Sequence, residues 1–244
     1  MLGRALTVLD AFSRTDVDGL RLTELAHRTG LPKATTHRIV STLVERRFLE
    51  RDGPYHKPGI RLFELGGMMT HHRQLRDAAM AFMGDLYEAT HDTIHLAVRD
   101  GCDVVYIEKI TGHRPLQVPS DVGRRMPLHC TALGKVLLAG APAEVVEATI
   151  ARGLTRHTRN TIASREELQR VLEEVRFTGV AYDLEESTPD IRCVAAPVFG
   201  ADRQVVAALS ISISSRRTTK VVELAGAVRN GARGISQMLG HPAQ

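Results

Sequence analysis

Apolar positions recur at helical spacing through the first quarter of the chain and at strand spacing through much of the remainder. In GRALTVLDAFSR, Ala5, Leu6, Val8, Leu9 and Phe12 share one side of a helix. DVDGLR reads as a turn. Thr23 then caps a second helix, LTELAHRTG, which turns Leu25 and Ala26 inward and stops at Gly30 as its C′ residue. Pro32 takes the first position of a third helix, where a missing N–H is no loss, and that helix runs to about Arg46. FLERDGPYHKPGI follows as two short strands around Asp52-Gly53. Three helices and a hairpin predict a winged helix-turn-helix domain over residues 1–60.

From Arg61 a helical pattern continues for almost thirty residues through Leu62, Leu65, Met69, Ala79, Phe82, Met83 and Leu86. Gly66-Gly67 and His71-His72 predict a bend or break within it, and residues 61–76 are expected to be a linker helix. The period then changes. TIHLAVRDGCDVVYIEKI is two period-2 runs around Asp100-Gly101, a hairpin signal, and RPLQV predicts a third strand. CTALGKVLLAG and PAEVVEATIA predict helices, and Ser164 with Glu167 forms a capping box opening REELQRVLEEVRFTG. RCVAAPVF and QVVAALSISIS predict buried strands joined at GADR, and TKVVELAGAVRNGARGISQML a closing helix. The fold class is therefore α+β in two domains, the second being a mixed α/β domain over residues 77–244.

The third helix has two faces to explain. Thr36, Ile39, Val40 and Leu43 form the core side, whereas Ala34, Arg38, Ser41 and Glu45 point the opposite way, flanked by Thr35, His37 and Thr42. A helix entering a major groove needs small residues for close approach, a donor for a guanine edge or a phosphate, and hydroxyls for phosphates. Lys33, in the first turn, and Arg4, just before the first helix, are expected phosphate contacts. Arg47, Arg51, His56 and Lys57 place charge on or near the wing. An ordinary solvated face would explain any one of these residues, but their agreement with the wing points to double-stranded DNA. The charge distribution agrees. The 244-residue chain carries a net +4, and residues 1–61 hold 11 Lys and Arg against 7 Asp and Glu, leaving the remainder balanced.

Cys102, Cys130 and Cys193 lie far apart without CxxC spacing, which excludes a disulfide framework or zinc knuckle and fits a reducing cytosol. Arg4 and Asp10 interrupt any signal-peptide core, and no apolar run is long enough to span a bilayer. A cytoplasmic protein with no membrane partner is expected. Catalysis is not indicated. Gly134-Lys135 lacks the upstream glycine and following hydroxyl of a phosphate loop, and His129 and Cys130, adjacent on an extended stretch, point apart with no third group to orient the histidine. No metal cluster or cofactor motif is visible. The alternative is a redox- or metal-responsive DNA-binding regulator, in which the three cysteines converge and His71-His72 contribute; thiol alkylation distinguishes the two.

The stretches RALTVLDAF, LTELAHRTGLPKATTHRIVSTL, GIRLFELG, DGCDVVYIEKI, VGRRMPLHCTALGKVLLA, GVAYDLEE, RCVAAPVF and VVAALSIS occur in one order over nearly the whole chain. In this the sequence resembles the IclR family of bacterial transcriptional regulators. The resemblance implies an N-terminal winged helix-turn-helix, a linker helix and a C-terminal effector domain of GAF-like fold. It also implies homodimers or homotetramers on palindromic operators, with small carboxylic acids as effectors. It places the effector pocket at His129, Cys130, Thr131, Ala132, Leu133, Asp183, Cys193, Ser210 and Ser212.

The residues suit that assignment. Backbone N–H groups around Thr131, Ala132 and Leu133 open a helix and can cradle a carboxylate, and Ser210 and Ser212 alternate onto one face of a strand. Asp183 either accepts from a hydroxyl or caps a turn, and Cys193 begins a buried strand as a small hydrophobe. Two departures from the family pattern stand out. Ala34 replaces a common serine, and ISSRRTTK replaces Gly-Pro after LSIS, which leaves Arg216 and Arg217 either beside an acidic effector or in solvent. Few aromatics and no tryptophan favour a small polar acid, although Tyr106, Met126 and Phe199 can still line an apolar slot. Effector binding is expected to move the linker and change the spacing of two recognition helices, with repression and activation both open.

Overall fold

Val8, Leu20, Leu25, Ile39, Val40, Leu43 and Leu49 close a small core that three helices and a three-stranded sheet share. The computed structural model describes residues 1–244 apart from residues 14, 114–115, 117–119, 218–219 and 243–244. The chain divides into two compact units, Met1–Arg73 and Gln74–Gln244. The first contains α1 (Leu2–Asp10), β1 (Leu20–Arg21), α2 (Leu22–Thr29), α3 (Lys33–Glu45), β2 (Leu49–Asp52), β3 (Tyr55–Pro58) and α4 (Ile60–Gly67).

Several boundaries differ from expectation, and around β1 the reason is that strand pairing overrides short-range signals. DVDGLR is not all turn, since Leu20 and Arg21 form β1 opposite His56 and Tyr55, giving the antiparallel order β1-β3-β2. Because Arg21 is held extended in that strand, the helix cannot begin until Leu22. Arg21 is the N-cap residue, and its backbone N–H donates to Glu24 Oε2 at 2.6 Å. Thr23 is therefore the second residue of α2, not its cap. Gly30 does end that helix, at φ +66° in the left-handed region. Pro32 precedes α3 as its N-cap instead of entering the first turn, and its carbonyl accepts the Thr36 N–H at 2.9 Å. Arg4 lies inside the first turn of α1, not before it.

The helical run from residue 60 breaks at Met68-Met69, directly after Gly66-Gly67. His71 and His72 sit inside the next helix, α5 (Thr70–Thr90), which continues well past the expected end of the linker. Leu75, Ala79, Met83 and Leu86 recur on one stripe of α5 and are buried in the core of the second unit.

That unit adds β4 (Thr93–Asp100), β5 (Asp103–Ile110), β6 (Arg125–Pro127), α6 (Ala132–Ala139), α7 (Ala143–Arg152), α8 (Arg165–Thr178), β7 (Ala181–Leu184), β8 (Ile191–Phe199), β9 (Val205–Ser214), a 3-10 turn at Val221–Leu224, and α9 (Ala225–Met238). The RPLQV stretch falls mostly outside the described residues, and β6 is the strand that borders β5. Six antiparallel strands run in the order β6-β5-β4-β9-β8-β7. Their alternation sorts the sheet into two faces. Ile94, Leu96, Val194, Ala196, Leu209 and Ile211 pack with residues of α5 and α9. Ala97, Val104, Ala195 and Ala208 pack with residues of α6 and α8. On α8, Ser164 Oγ accepts the Glu167 N–H at 3.3 Å, which is one half of the expected capping box; the return bond from the Glu167 side chain is not made among the described residues. Among the described residues, no helix is long and apolar enough to cross a membrane.

Candidate functional site

On α3 the wheel separates as the apolar spacing requires. Thr36, Ile39, Val40 and Leu43 are buried, while Lys33, Ala34, His37, Arg38, Ser41 and Thr42 are exposed and Thr35 is half-buried. Six solvent-facing side chains therefore stand on one helix over a closed core. Thr42 Oγ1 donates to the Arg38 carbonyl at 3.1 Å, so its hydroxyl proton is spent within the helix and it can offer an incoming group only its lone pairs.

The wing is less cationic than its sequence suggests. His56 is buried, because strand alternation turns it inward between Leu20 on β1 and Arg51 on β2. Burial, with Arg51 and His37 close by, lowers its proton affinity. His56 is thus a neutral part of the groove floor between α3 and the wing, not a phosphate-facing cation. Lys57 Nζ is held by Asp52 Oδ2 at 2.8 Å. Arg51 Nε donates to the Gly53 carbonyl at 3.0 Å, and Arg47 pairs with Glu64 at 3.4 Å. Arg4 is exposed on α1. Sequence reasoning missed Arg21, whose guanidinium lies over the Tyr55 ring at 5.2 Å on the wing edge, because nothing in DVDGLR signals a strand.

In the second unit the register of β4, β9 and β8 gathers polar residues onto one sheet face. His95 lies opposite Ser210, and Thr93 and Cys193 lie on either side of Ser212. These strands, with Tyr106 of β5, Thr131 at the start of α6 and Asp183 of β7, enclose a cavity of about 20 Å³, room for roughly one water. Ser120, Met126, Ser187, Thr188 and Ile191 complete its wall. His95 Nε2 bonds Ser120 Oγ at 2.8 Å, and Ser212 Oγ lies 3.1 Å from Cys193 Sγ and 3.4 Å from His95 Nδ1. Asp183 accepts from Ser187 Oγ at 2.5 Å and from the Glu186 N–H at 2.7 Å, so it caps a turn and binds a hydroxyl together.

Burial sets the charge states. It lowers His95 to about 3, leaving a neutral imidazole, and raises Asp183 and the Cys193 thiol. No Lys or Arg is among the described lining residues. Arg216 pairs with Asp190 at 3.2 Å and Arg217 with Asp92, so neither reaches the cavity. Tyr106 and Met126 do line it. Phe199 instead stacks on His241 beside a separate groove of about 560 Å³ carrying Arg176, Arg229 and Arg233.

Of the residues expected at the effector pocket, Thr131, Asp183, Cys193 and Ser212 converge. His129, Cys130, Ala132, Leu133 and Ser210 are off its wall. Successive residues in the first turn of α6 rotate by about 100°, so Ala132 and Leu133 enter the apolar core while Thr131 faces the cavity. Thr131 Oγ1 accepts the Gly134 N–H at 3.0 Å. The N–H groups of Ala132 and Leu133 belong to the first turn, which has no partner within its own helix. His95 was missed, although a histidine between Ile94 and Leu96 on an otherwise aliphatic strand marks the polar face. Ser120, Ser187 and Thr188 come from irregular segments without periodicity.

His129 and Cys130 precede α6 in bends, not in an extended stretch, so their side chains do not point apart. His129 Nε2 lies 3.1 Å from the Thr155 carbonyl. Burial pushes the Cys130 thiol up to about 12. Cys130 and Cys193 are both held protonated, the opposite of a reactive thiolate.

Residues 1–53 match the model of the IclR helix-turn-helix domain, and residues 67–237 match that of the bacterial transcriptional regulator IclR C-terminal domain. The chain is similar to the HTH-type transcriptional regulator XynR of Escherichia coli strain K12, 35% identical over 98% of this chain and 97% of that protein. It is also similar to the HTH-type transcriptional regulator KdgR of the same strain, 36% identical over 90% and 86%. An IclR homolog from Microbacterium hydrocarbonoxydans, crystallised in complex with 4-hydroxybenzoate, superposes with a TM-score of 0.88, covering 98% of both chains at 28% identity.

Proposed function

Since this chain belongs to the IclR family of bacterial transcriptional regulators, we propose that it binds a palindromic operator as a dimer or tetramer, with an affinity that a small organic acid in the C-terminal unit changes. At the coarser level the chain is a DNA-binding transcriptional regulator with an effector-binding C-terminal domain, not an enzyme.

The observation that carries the finer reading is the convergence of Thr131, Asp183, Cys193 and Ser212 on one small polar cavity within an apolar layer. With no cation among the described residues of its wall, an acid would be held by hydroxyls and by the N–H groups opening α6. Tyr106 and Met126 supply an apolar surface for a ring, and the complex of the Microbacterium homolog with 4-hydroxybenzoate supports an acid of that size. At about 20 Å³ the cavity must open to admit any such ligand. We place that opening at the segments carrying Ser187, Thr188 and Ile191, and its transmission in the linker that breaks at Met68-Met69. Half-sites about 34 Å apart make operator affinity sensitive to small changes in the spacing of two α3 helices. Lys33, Ala34, Thr35, His37, Arg38, Ser41 and Thr42 form the DNA-reading face in this proposal, with Arg4 and Lys57 at its margin.

The test is fluorescence anisotropy on the DNA immediately upstream of the gene, against scrambled DNA, at two salt concentrations and with a panel of small carboxylic acids. Selective binding with a steep salt slope, altered by at least one acid, is the expected result. Absence of binding to either DNA at low salt would overturn the DNA-reading face. Indifference of both affinity and Tm to every acid would overturn the effector assignment.

A further inference from the structure

Outside the cavity, the ligand atoms of His129, Cys130 and His157 all lie within 4.8 Å of one another. His129 and Cys130 are buried, and His157 is exposed on the segment between α7 and α8. None of the three lines the cavity described above. We propose that these residues form a site for a borderline-soft divalent transition metal ion, Zn²⁺ in the first instance.

The donor set selects the ion. Two imidazole nitrogens and one thiolate suit Zn²⁺, whereas Mg²⁺ and Ca²⁺ require oxygen ligands that this cluster does not offer. Around a tetrahedral zinc, with bonds near 2.0–2.1 Å to nitrogen and 2.3 Å to sulfur, neighbouring ligand atoms stand roughly 3.4–3.6 Å apart. The cluster therefore needs an inward movement of about 1 Å. His157, at the surface, can supply it through its side-chain torsions.

The tautomer of His129 leaves one ring nitrogen able to bind an ion. The Thr155 carbonyl only accepts, so Nε2 carries the ring proton and Nδ1 keeps its lone pair. A backbone carbonyl holding the far nitrogen is the usual outer partner of a metal-bound histidine. Cys130 binds as the thiolate, so its proton passes to solvent when the ion enters, and affinity rises with pH. With three protein ligands, a water would complete a tetrahedral set. The segment that would be tied to the start of α6 is itself anchored, through Thr158 Oγ1 on the Glu185 carbonyl at 2.7 Å and Thr161 Oγ1 on the Glu186 carbonyl at 2.6 Å. The site stands or falls independently of the effector assignment.

The experiment is a Co²⁺ titration of the full chain, stripped with EDTA and kept reduced, followed by displacement with Zn²⁺. One Co²⁺ per chain is expected, with a thiolate-to-metal charge-transfer band, tetrahedral d–d absorption and release of a proton. His157→Ala, an exposed substitution, is expected to weaken Co²⁺ binding roughly 100-fold, since even the loss of an outer partner costs 10–100-fold. Cys130→Ser should remove the charge-transfer band, while Cys102→Ser and Cys193→Ser should leave it intact. If Cys130→Ser fails to fold, His157→Ala decides. Absence of the band in the unmodified protein, unchanged affinity in His157→Ala, or a band lost in Cys193→Ser would each overturn the site.

Discussion

Lys135, on α6, and Glu186, in the turn after β7, form a buried ion pair with Nζ 2.5 Å from Oε1, and Oε2 has no partner among the described residues. Lys135 is only 2% exposed, so its ammonium depends on that carboxylate for compensation. The pair fastens the helix that opens beside the cavity to the turn that Asp183 caps.

Breaking one side of such a pair leaves an uncompensated buried charge. Lys135→Met is expected to destabilise the C-terminal unit by about 3–5 kcal/mol. The double substitution with Glu186→Leu should recover most of that loss, because no charge is then stranded. Three of the four tyrosines, Tyr87, Tyr106 and Tyr182, lie in this unit, so urea unfolding followed by tyrosine fluorescence reports on it. A double variant no more stable than Lys135→Met would contradict the account.

The buried His95 makes the same unit acid-sensitive. Its folded pKa is lowered to about 3 by burial, against about 6.5 unfolded. Between those values the unfolded state binds more protons than the folded one, so stability rises with pH across the window and is lost as pH falls from about 6.5. The slope is at most about 1.4 kcal/mol per pH unit. His95→Asn removes this contribution, and its stability should change less between about pH 6.5 and pH 5 than that of the unmodified chain. Parallel pH profiles for the two proteins would show that His95 titrates normally.

Lys33, on the proposed DNA-reading face, is an exposed cation, whereas His56, on β3, is a buried neutral ring. Lys33→Ala should weaken binding evenly across sequences and lower the log–log salt slope by about 1, whereas His56→Gln should leave that slope unchanged. Anisotropy over a range of salt concentrations measures both. A slope reduced by His56→Gln would mean that the ring is charged on DNA.

Gly134 is the tightest point of the α6 entry. A Cβ there would stand 2.3 Å from the Leu128 carbonyl oxygen and 2.6 Å from Thr131 Oγ1. Backbone cannot yield as a side chain can, so Gly134→Ala should cost about 1–3 kcal/mol and loosen the helix start. Thermal unfolding with an unchanged Tm would show that the loop before α6 shifts freely.

Much of this molecule is legible in local pattern. The 3.6-residue spacing of Thr36, Ile39, Val40 and Leu43 identified the buried face of α3, and with it the exposed face that needs a partner. Asp100-Gly101 located the β4–β5 hairpin, and Gly30 the end of α2, because each signal depends on the backbone preferences of one or two residues.

Periodicity states which residues share a face, but it is silent on which faces meet. Leu20-Arg21 becomes a strand, and His56 an inward residue, only when β1 and β2 close on β3. His95 reaches Ser212 across 117 residues of chain because the order β6-β5-β4-β9-β8-β7 lays β4 against β9. His157 reaches His129 and Cys130 because the segment between α7 and α8 folds back toward the start of α6. The sequence by itself determined the elements and their buried faces, since those follow from local backbone preference and the period of apolar burial. The tertiary structure decided the cavity wall, the neutral wing histidine and the grouping of His129, Cys130 and His157, since each depends on desolvation and contact between residues distant in the chain.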